Sequence, residues 1–281
     1  MVYLTCFEFP SEDREADFLW DIGMMSVYPF NVLSKRCLAK IEFEPITILY
    51  GGNGSGKSTA LNIMAEKLNI SRDASYNKSR FYPDYVTMCE ANILKNIPEN
   101  SRIITSDDVF DYMLHIRGLN DGIDVKREDT CKEYLDAKYS DFRIKTIEDY
   151  EQLRKVNKAR QKTQAQFVKS ELIDNVRELS NGESAFKYFT EKIGENGLYL
   201  LDEPENSLSP KRQIELKKFI EDSVRFFGCQ FIISTHSPFL LAMPGAKIYD
   251  LDEAPAVIKK WTELENIRIY HDFFKLHDTE F

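Results

Sequence analysis

The chain is poor in cysteine, and its cysteines do not pair. Cys6, Cys37, Cys89, Cys131 and Cys229 are scattered, odd in number and include no Cys-x-x-Cys. That excludes a disulfide framework and a zinc knuckle, and it fits a reducing, cytoplasmic setting. No apolar run approaches the roughly 20 residues that a membrane-crossing helix needs, so no direct membrane insertion is expected. The opening Met1-Val2-Tyr3-Leu4-Thr5-Cys6-Phe7-Glu8 is acidic and reads as a strand, not as a secretion signal. Positive charge is not in excess: 37 Lys and Arg stand against 46 Asp and Glu, a formal net charge of −9. The protein as a whole is therefore no polycation seeking phosphate backbones, although a local basic patch remains open. There is no internal repeat or low-complexity tract.

What is present suits one large domain, or one core with an inserted lobe: 281 residues, of which 43% are apolar. Residues 2–8 and 40–44 have the pattern of short strands. Ile46-Thr47-Ile48-Leu49-Tyr50 is a β-branched run ending in glycines and reads as a buried strand. From Ser58 the pattern turns helical, with Leu61, Met64, Ala65 and Leu68 on one face. Residues 69–100 read as loop, and 102–106 as a further strand. From about 107 to 178 charge is dense and glycine sparse, and helix formers dominate from 146. This reads as a helical lobe inserted into a sheet domain. After it, 197–201 and 229–233 are apolar runs of the kind buried on both faces of a parallel sheet. A helix from Pro210 to Phe226 between them completes a strand-helix-strand crossover.

Two motifs carry the chemistry. Gly51-Gly52-Asn53-Gly54-Ser55-Gly56-Lys57-Ser58 matches a phosphate-binding loop set between a strand and a helix. Glycines let backbone N–H groups turn inward around an anion, and the positive end of the following helix points the same way. Lys57 is expected at the β- and γ-phosphates, Ser58 at Mg²⁺ and Thr59 at the α-phosphate. The strand over 197–201 leads into Asp202-Glu203, which sets two carboxylates at the sheet edge where ligands bind. Asp202 is expected to hold Mg²⁺ and Glu203 to polarise the attacking water of ATP hydrolysis.

Three further segments complete a resemblance. Leu179-Ser180-Asn181-Gly182-Glu183, Glu205-Asn206-Ser207-Leu208-Ser209 and Ser234-Thr235-His236-Ser237-Pro238 follow in order. With the phosphate loop and the acidic pair, they resemble the signature motif, D-loop and switch histidine of the ATP-binding cassette (ABC) ATPases. The likeness covers roughly 38–68 and 179–252. It implies an α/β P-loop NTPase fold: a mostly parallel sheet, an N-terminal antiparallel β portion and an inserted helical lobe. The core would take 1–106 and 185–281, and the lobe 107–184 would end in the signature. The resemblance also implies a head-to-tail homodimer around two ATPs. Ser180, Asn181, Gly182 and Glu183 of one subunit would cap the γ-phosphate held by Gly51, Asn53, Gly54, Ser55, Gly56 and Lys57 of the other. His236 would contact that γ-phosphate.

Glu183 with Ser184, Ser237 after the histidine and Glu205 after Pro204 are more similar to SMC-type and repair ATPases than to transporters. The chain looks closest to stand-alone bacterial proteins called predicted ATPase or AAA family ATPase. It departs from the family in lacking any glutamine between Ser58 and Gln152. Ser106, Asp107 or Asp108 stands where a metal-binding glutamine is usual, and Ser209 stands where an aspartate is commoner. Tyr28 or Phe30 would stack on adenine. About 70 residues of lobe are too few for the long coiled coil of an SMC head.

Arg154, Lys155, Lys158, Arg160, Lys162 and Lys169 form a basic run in an acidic protein. It is either a solvated helix face or a contact for nucleic acid or an acidic partner. The tail from Trp261, with Tyr270, Phe273 and Phe274, is expected to pack on the core as a helix. The leading expectation is a Mg²⁺-dependent ATPase acting as a switch or clamp in DNA maintenance or anti-phage defence, with a nuclease or other effector partner. The alternatives are the energising subunit of a transporter with separate membrane subunits, and a nucleotide-gated binding protein with negligible turnover.

Overall fold

The computed structural model describes residues 1–140, 150–171 and 181–280. In chain order its elements are β1 (Leu4–Glu8), α1 (Glu12–Asp21), β2 (Lys40–Glu42), β3 (Ile46–Tyr50), α2 (Lys57–Lys67), α3 (Tyr82–Met88), β4 (Glu90–Ile93), β5 (Arg102–Thr105), α4 (Ser106–Tyr139), α5 (Tyr150–Gln161), α6 (Gln164–Glu171), α7 (Asn181–Lys192), β6 (Leu198–Asp202), α8 (Pro210–Phe226), β7 (Gln230–Ser234), α9 (Pro238–Leu241), β8 (Lys247–Asp250), β9 (Val257–Ile258) and α10 (Glu265–Leu276). Short 3₁₀ turns lie between some of them. The chain divides into two units, Met1–Asp111 with Ser180–Phe281, and Tyr112–Leu179.

The first unit holds two sheets. One is antiparallel, in the order β2-β1-β4; the other runs β5-β6-β7-β3-β8-β9 and is parallel except for β9. β3 and β7 are buried along their whole length, as strands covered on both faces must be. The first buries Ile46, Ile48, Leu49 and Tyr50, the second Phe231, Ile232 and Ile233. Side chains stitch the sheets together: the Tyr249 hydroxyl of β8 accepts from the Glu42 N–H of β2 at 3.0 Å and donates to the Glu42 carbonyl at 3.1 Å. Gln230, fully buried at the start of β7, accepts from the N–H groups of Tyr3 and Leu4 at 2.7 and 3.0 Å and donates to the Leu4 carbonyl at 2.8 Å. A buried amide is tolerated because its polar atoms are bonded.

α1 begins at Ser11, whose hydroxyl accepts from the Arg14 N–H, and three acids occupy its first turn, where the helix dipole favours them. Its buried Glu15 accepts from Asn31 N–H at 2.6 Å, Ser34 Oγ at 2.8 Å and Tyr85 Oη at 3.0 Å. Burial nevertheless pushes this carboxyl above the usual range. These bonds hold the segment around Leu33 against the phosphate loop.

Two expectations need correction here. The stretch 69–100 is not loop throughout: it contains α3 and β4. Tyr82 and Tyr85 of α3 are fully buried, and β4 pairs with β1. The tail does form a helix, α10, but only its Ile267 is buried there. Tyr270, Phe273 and Phe274 stay about half exposed, because the contact with the body ends after the first turn.

The second unit is described through the later part of α4 with α5 and α6. Tyr134, Ala137, Val156, Ala159 and Phe167 form its buried cluster. Tyr134 and Phe167 rings lie 5.5 Å apart, and the Tyr134 hydroxyl donates to the Lys162 carbonyl at 3.1 Å. The expected helical run over 146–178 is described only where α5 and α6 cover it.

Candidate active site

β3 delivers the phosphate loop to the sheet edge, and α2 begins at Lys57 directly after it. Two glycines are needed for steric reasons. Gly56 has φ +96°, and a Cβ there would lie 2.8 Å from Leu33 Cδ2; a Cβ on Gly51 would lie 2.7 Å from Ser55 Oγ. The Ser55 hydroxyl is buried with no hydrogen-bond partner among the described residues, an uncommon state for a buried polar atom that suits an anion-binding loop. Lys57 is 4% exposed. Its Nζ donates to Gly51 O at 2.7 Å, to Gly52 O at 3.2 Å and to His236 Nε2 at 3.0 Å, and lies 3.7 Å from Glu203 Oε1.

β6 runs parallel to β5 and β7, and its last residue, Asp202, stands level with Thr105 and Ser234. Ser58 Oγ donates to Asp202 Oδ1 at 3.1 Å. Burial pushes the Asp202 carboxyl upward against that hydrogen bond. A carboxylate and a hydroxyl so placed, short of compensating charge, are the donor set a small divalent cation takes, with water and phosphate oxygens completing its shell. Among the described residues, no group of three or more His, Cys, Asp or Glu side chains forms a cage.

Glu203 follows in the left-handed region at φ +48° and ψ 53°. Its N–H is bonded to Ser234 O at 2.9 Å, and its Oε2 accepts from Asn206 Nδ2 at 3.0 Å. Oε1 lies 3.7 Å from His236 Nε2. The ammonium of Lys57 can only donate, so the Nε2 it meets is an acceptor and the ring carries its proton on Nδ1. Burial, and then Lys57, push the His236 pKa below its ordinary value, which favours the same neutral ring.

In the sequence Glu205 counts only toward the D-loop and the likeness to SMC-type and repair ATPases. It accepts from the His236 N–H at 2.6 Å and the Ser237 N–H at 3.1 Å with Oε1, while Oε2 is buried without a partner among the described residues. Burial pushes this carboxyl up. Glu205, two residues after the acidic pair, therefore fixes the backbone at His236.

Two family models match the chain. One, described as ABC transporter, covers residues 36–206; the other, described as AAA ATPase domain, covers 181–241. The first spans more than half of the sequence. This chain belongs to the ABC family. It is an ATP-binding ATPase domain, and the six-stranded sheet with its phosphate loop is the P-loop core of that family.

Solved structures to which the chain is similar include the dimeric structure of MJ0796, a bacterial ABC transporter cassette, at 13% identity over 80% of this chain and 91% of that one, TM-score 0.37. The same cassette in a post-hydrolysis state bound to ADP and Pi is 15% identical over 80% and 91%, TM-score 0.35. The Smc head domain of Pyrococcus furiosus, bound to the C-terminal domain of ScpA, is 14% identical over 83% and 94%, TM-score 0.38. Likeness at these scores adds nothing to the family assignment. No curated protein matches the chain.

Other residues of the ABC motifs are arranged as follows. Ser180 lies outside the described residues. Asn181, Gly182 and Glu183 open α7. Gly182 packs on the backbone of Ser207 and Ser209 in the D-loop, and Glu183 lies 3.4 Å from Arg212. Gly54 has φ +80° and, like Asn53, lies in the exposed crest of the phosphate loop. The Thr59 hydroxyl accepts from Tyr28 Oη at 3.3 Å.

Phe30 is 2% exposed and stacks on Phe18 at 4.9 Å, so it belongs to the core and not to an adenine pocket. Of the residues at the missing glutamine, Asp108 is buried and fully used: it accepts from Ala74 N, Thr105 N and Thr105 Oγ1 at 2.5, 2.6 and 2.8 Å. It caps α4 instead of facing a metal. Asp107 is exposed and Ser106 half-buried, the first residue of α4. In the basic run, Lys155 pairs with Glu133 at 2.6 Å and Arg160 donates to Ser140 O at 2.7 Å. No helix among the described residues is long and apolar enough to cross a membrane.

Proposed function

We propose that this ABC ATPase binds and hydrolyses ATP with Mg²⁺ at the interface of a head-to-tail homodimer, and that it works in the cytoplasm as a nucleotide-driven switch or clamp. The observation that carries this is the convergence of Lys57, Glu203 and His236 at one sheet edge, within 3.0 to 3.7 Å of one another. Gly51, Asn53, Gly54, Ser55, Gly56, Lys57, Ser58 and Thr59 would surround the phosphates with N–H groups and one ammonium. Ser58 and Asp202 would hold Mg²⁺, which when bound offsets the charge of the phosphate oxygens. Glu203 would orient and polarise the attacking water. Lys57 and neutral His236 would stabilise the terminal phosphoryl group, the lysine by charge and the histidine as a donor through a ring N–H. Of the two aromatics weighed for adenine, Tyr28 is the half-buried one, packed at the edge of the core.

Ser180, Asn181, Gly182 and Glu183 would complete the partner's site. The place of Asn181, Gly182 and Glu183 at the opening of α7 supports this, because the positive end of a helix suits an anion. The variant Glu203→Gln tests the whole reading. We expect it to bind ATP, to lose turnover by about a hundredfold or more, and to double its mass in solution only with Mg-ATP. A protein that stays monomeric at saturating ATP would sink the sandwich.

For the biological setting we favour DNA maintenance or anti-phage defence, with an effector such as a nuclease encoded elsewhere. Support comes from the soluble-type motifs, Glu183, Glu205 and Ser237, and from the basic run between Arg154 and Lys169, which α5 and α6 share instead of one continuous helix. Duplex DNA should then stimulate the ATPase, and replacing Arg154, Lys155 and Lys158 together by alanine should remove that response. The description of the longer family match favours a second reading, an energising subunit for a separate membrane protein. ATPase activity indifferent to DNA would favour it.

A further inference from the structure

β3 and β8 run parallel in a register that sets Tyr50 opposite Asp250, and Leu251 N–H extends the ladder by donating to Tyr50 O at 2.8 Å. Both chains then leave the sheet side by side at the nucleotide edge. This brings Asp252 opposite Gly52. The Gly52 N–H donates to both carboxylate oxygens, at 2.7 and 2.8 Å. Asp252 is itself held in place. Its N–H donates to Asp250 Oδ1 at 3.0 Å, and Asp250 Oδ2 accepts from Lys259 Nζ at 2.8 Å.

The N–H that Asp252 takes belongs to the Gly51–Gly52 peptide. The carbonyl of that same peptide, Gly51 O, accepts from Lys57 Nζ at 2.7 Å. In a trans peptide the N–H and C=O point in opposite directions. One peptide plane is therefore clasped between a carboxylate and an ammonium, and both polarise it in the same sense. Each bond is charge-assisted, and bonds in such a series strengthen one another. Space is tight on the carboxylate side: a Cβ on Gly51 or Gly52 would lie 3.3 or 3.4 Å from Asp252 Oδ1.

The geometry points to Asp252 as a positioning residue for ATP binding, one that acts through the Gly51–Gly52 peptide to fix the place of the Lys57 ammonium. It rests on the reading of Lys57 as a phosphate ligand. Two effects oppose each other. A carboxylate near the loop repels the phosphates, whereas the clasp pre-orders the loop and its lysine. Asp252 is solvent-exposed, so water and salt screen its charge at a distance, while the direct bonds to Gly52 are kept. Pre-ordering wins, and loss of Asp252 weakens ATP binding.

The test uses the full chain with Asp252→Ala and Asp252→Asn. It measures KM and kcat for ATP, together with equilibrium binding of a ribose-labelled ATP analogue. We expect Asp252→Ala to raise both KM and Kd about tenfold, the size of one lost charge-assisted bond, with kcat within about twofold of wild type. Asparagine keeps an oxygen that accepts from the Gly52 N–H, so Asp252→Asn should recover most of the loss. Should Asp252→Ala not fold, Asp252→Ser, too short to reach Gly52, carries the same expectation. Unchanged or tighter ATP binding in the alanine variant, or a fall in kcat alone, overturns the proposal. Lys57→Ala separates it from the reading beneath it. If Lys57→Ala keeps full ATP affinity, the reading of Lys57 fails; if only Asp252→Ala does, the clasp alone fails.

Discussion

Along β3, β6 and β7 nearly every side chain is buried, and the loops at their ends are held by named bonds: Ser58 to Asp202, Glu205 to the His236 backbone, Asp252 to Gly52. The helical unit is built differently. Its described core is the small set Tyr134, Ala137, Val156, Ala159 and Phe167, and its charged residues pair along the surface, as Lys155 does with Glu133. Chemistry at a sheet edge needs several groups fixed to fractions of an ångström, which takes a rigid, parallel frame.

The sharpest way to break this contrast is at Lys57. Lys57→Ala should lower kcat/KM for ATP by a factor of about 10² to 10³, the scale of losing one preorganised charge at the reacting group, with the thermal midpoint nearly unchanged. A comparable loss from charge removal in the helical unit would show that its surface takes part in catalysis. Next in size are the cores. Ile232→Ala, in fully buried β7, should cost about 2–5 kcal/mol of stability. Val156→Ala, in the helical cluster, should cost roughly 1–2 kcal/mol, both read from urea unfolding. Equal costs would mean that the two units are packed alike.

The smallest effect concerns pH. The folded pKa of His236 lies below its ordinary 6.5. The unfolded chain then binds the proton more readily, so this residue's contribution is present above about pH 6.5 and is lost as pH falls below it. The wild-type midpoint should decline over that interval by a degree or so more than that of His236→Gln. A steeper decline in the variant would reverse the sign of the histidine's role.

What could be read from the sequence followed from distance along the chain. The phosphate loop is a local object: strand, glycines, lysine and helix lie within a few residues of one another, so residue type and spacing sufficed. The same held for Asp202-Glu203 at the end of an apolar run. Tyr82 and Tyr85 were lost in a stretch rich in Ser, Asn and Pro, because burial there depends on residues far away in the chain, as that of Tyr85 does on Glu15. Asp108 was weighed as a metal ligand although Thr105-Ser106-Asp107-Asp108 also has the spacing of a helix cap, which is what the fold makes of it. Asp252 could not be singled out at all. Its role appears only once β8 is known to lie beside β3, and strand order is not written in either strand.

The left-handed backbone of Glu203 has a consequence for how this chain tolerates change. Any residue with a side chain is strained at φ +48°, by about 1–3 kcal/mol, whereas glycine is not. A screen for thermal robustness alone would therefore drift toward glycine at 203 and discard the acid beside Lys57 and His236 in the same step. With Glu203 acting on the attacking water as proposed, fold and chemistry make opposite demands on one residue, and the more durable protein would be the idle one.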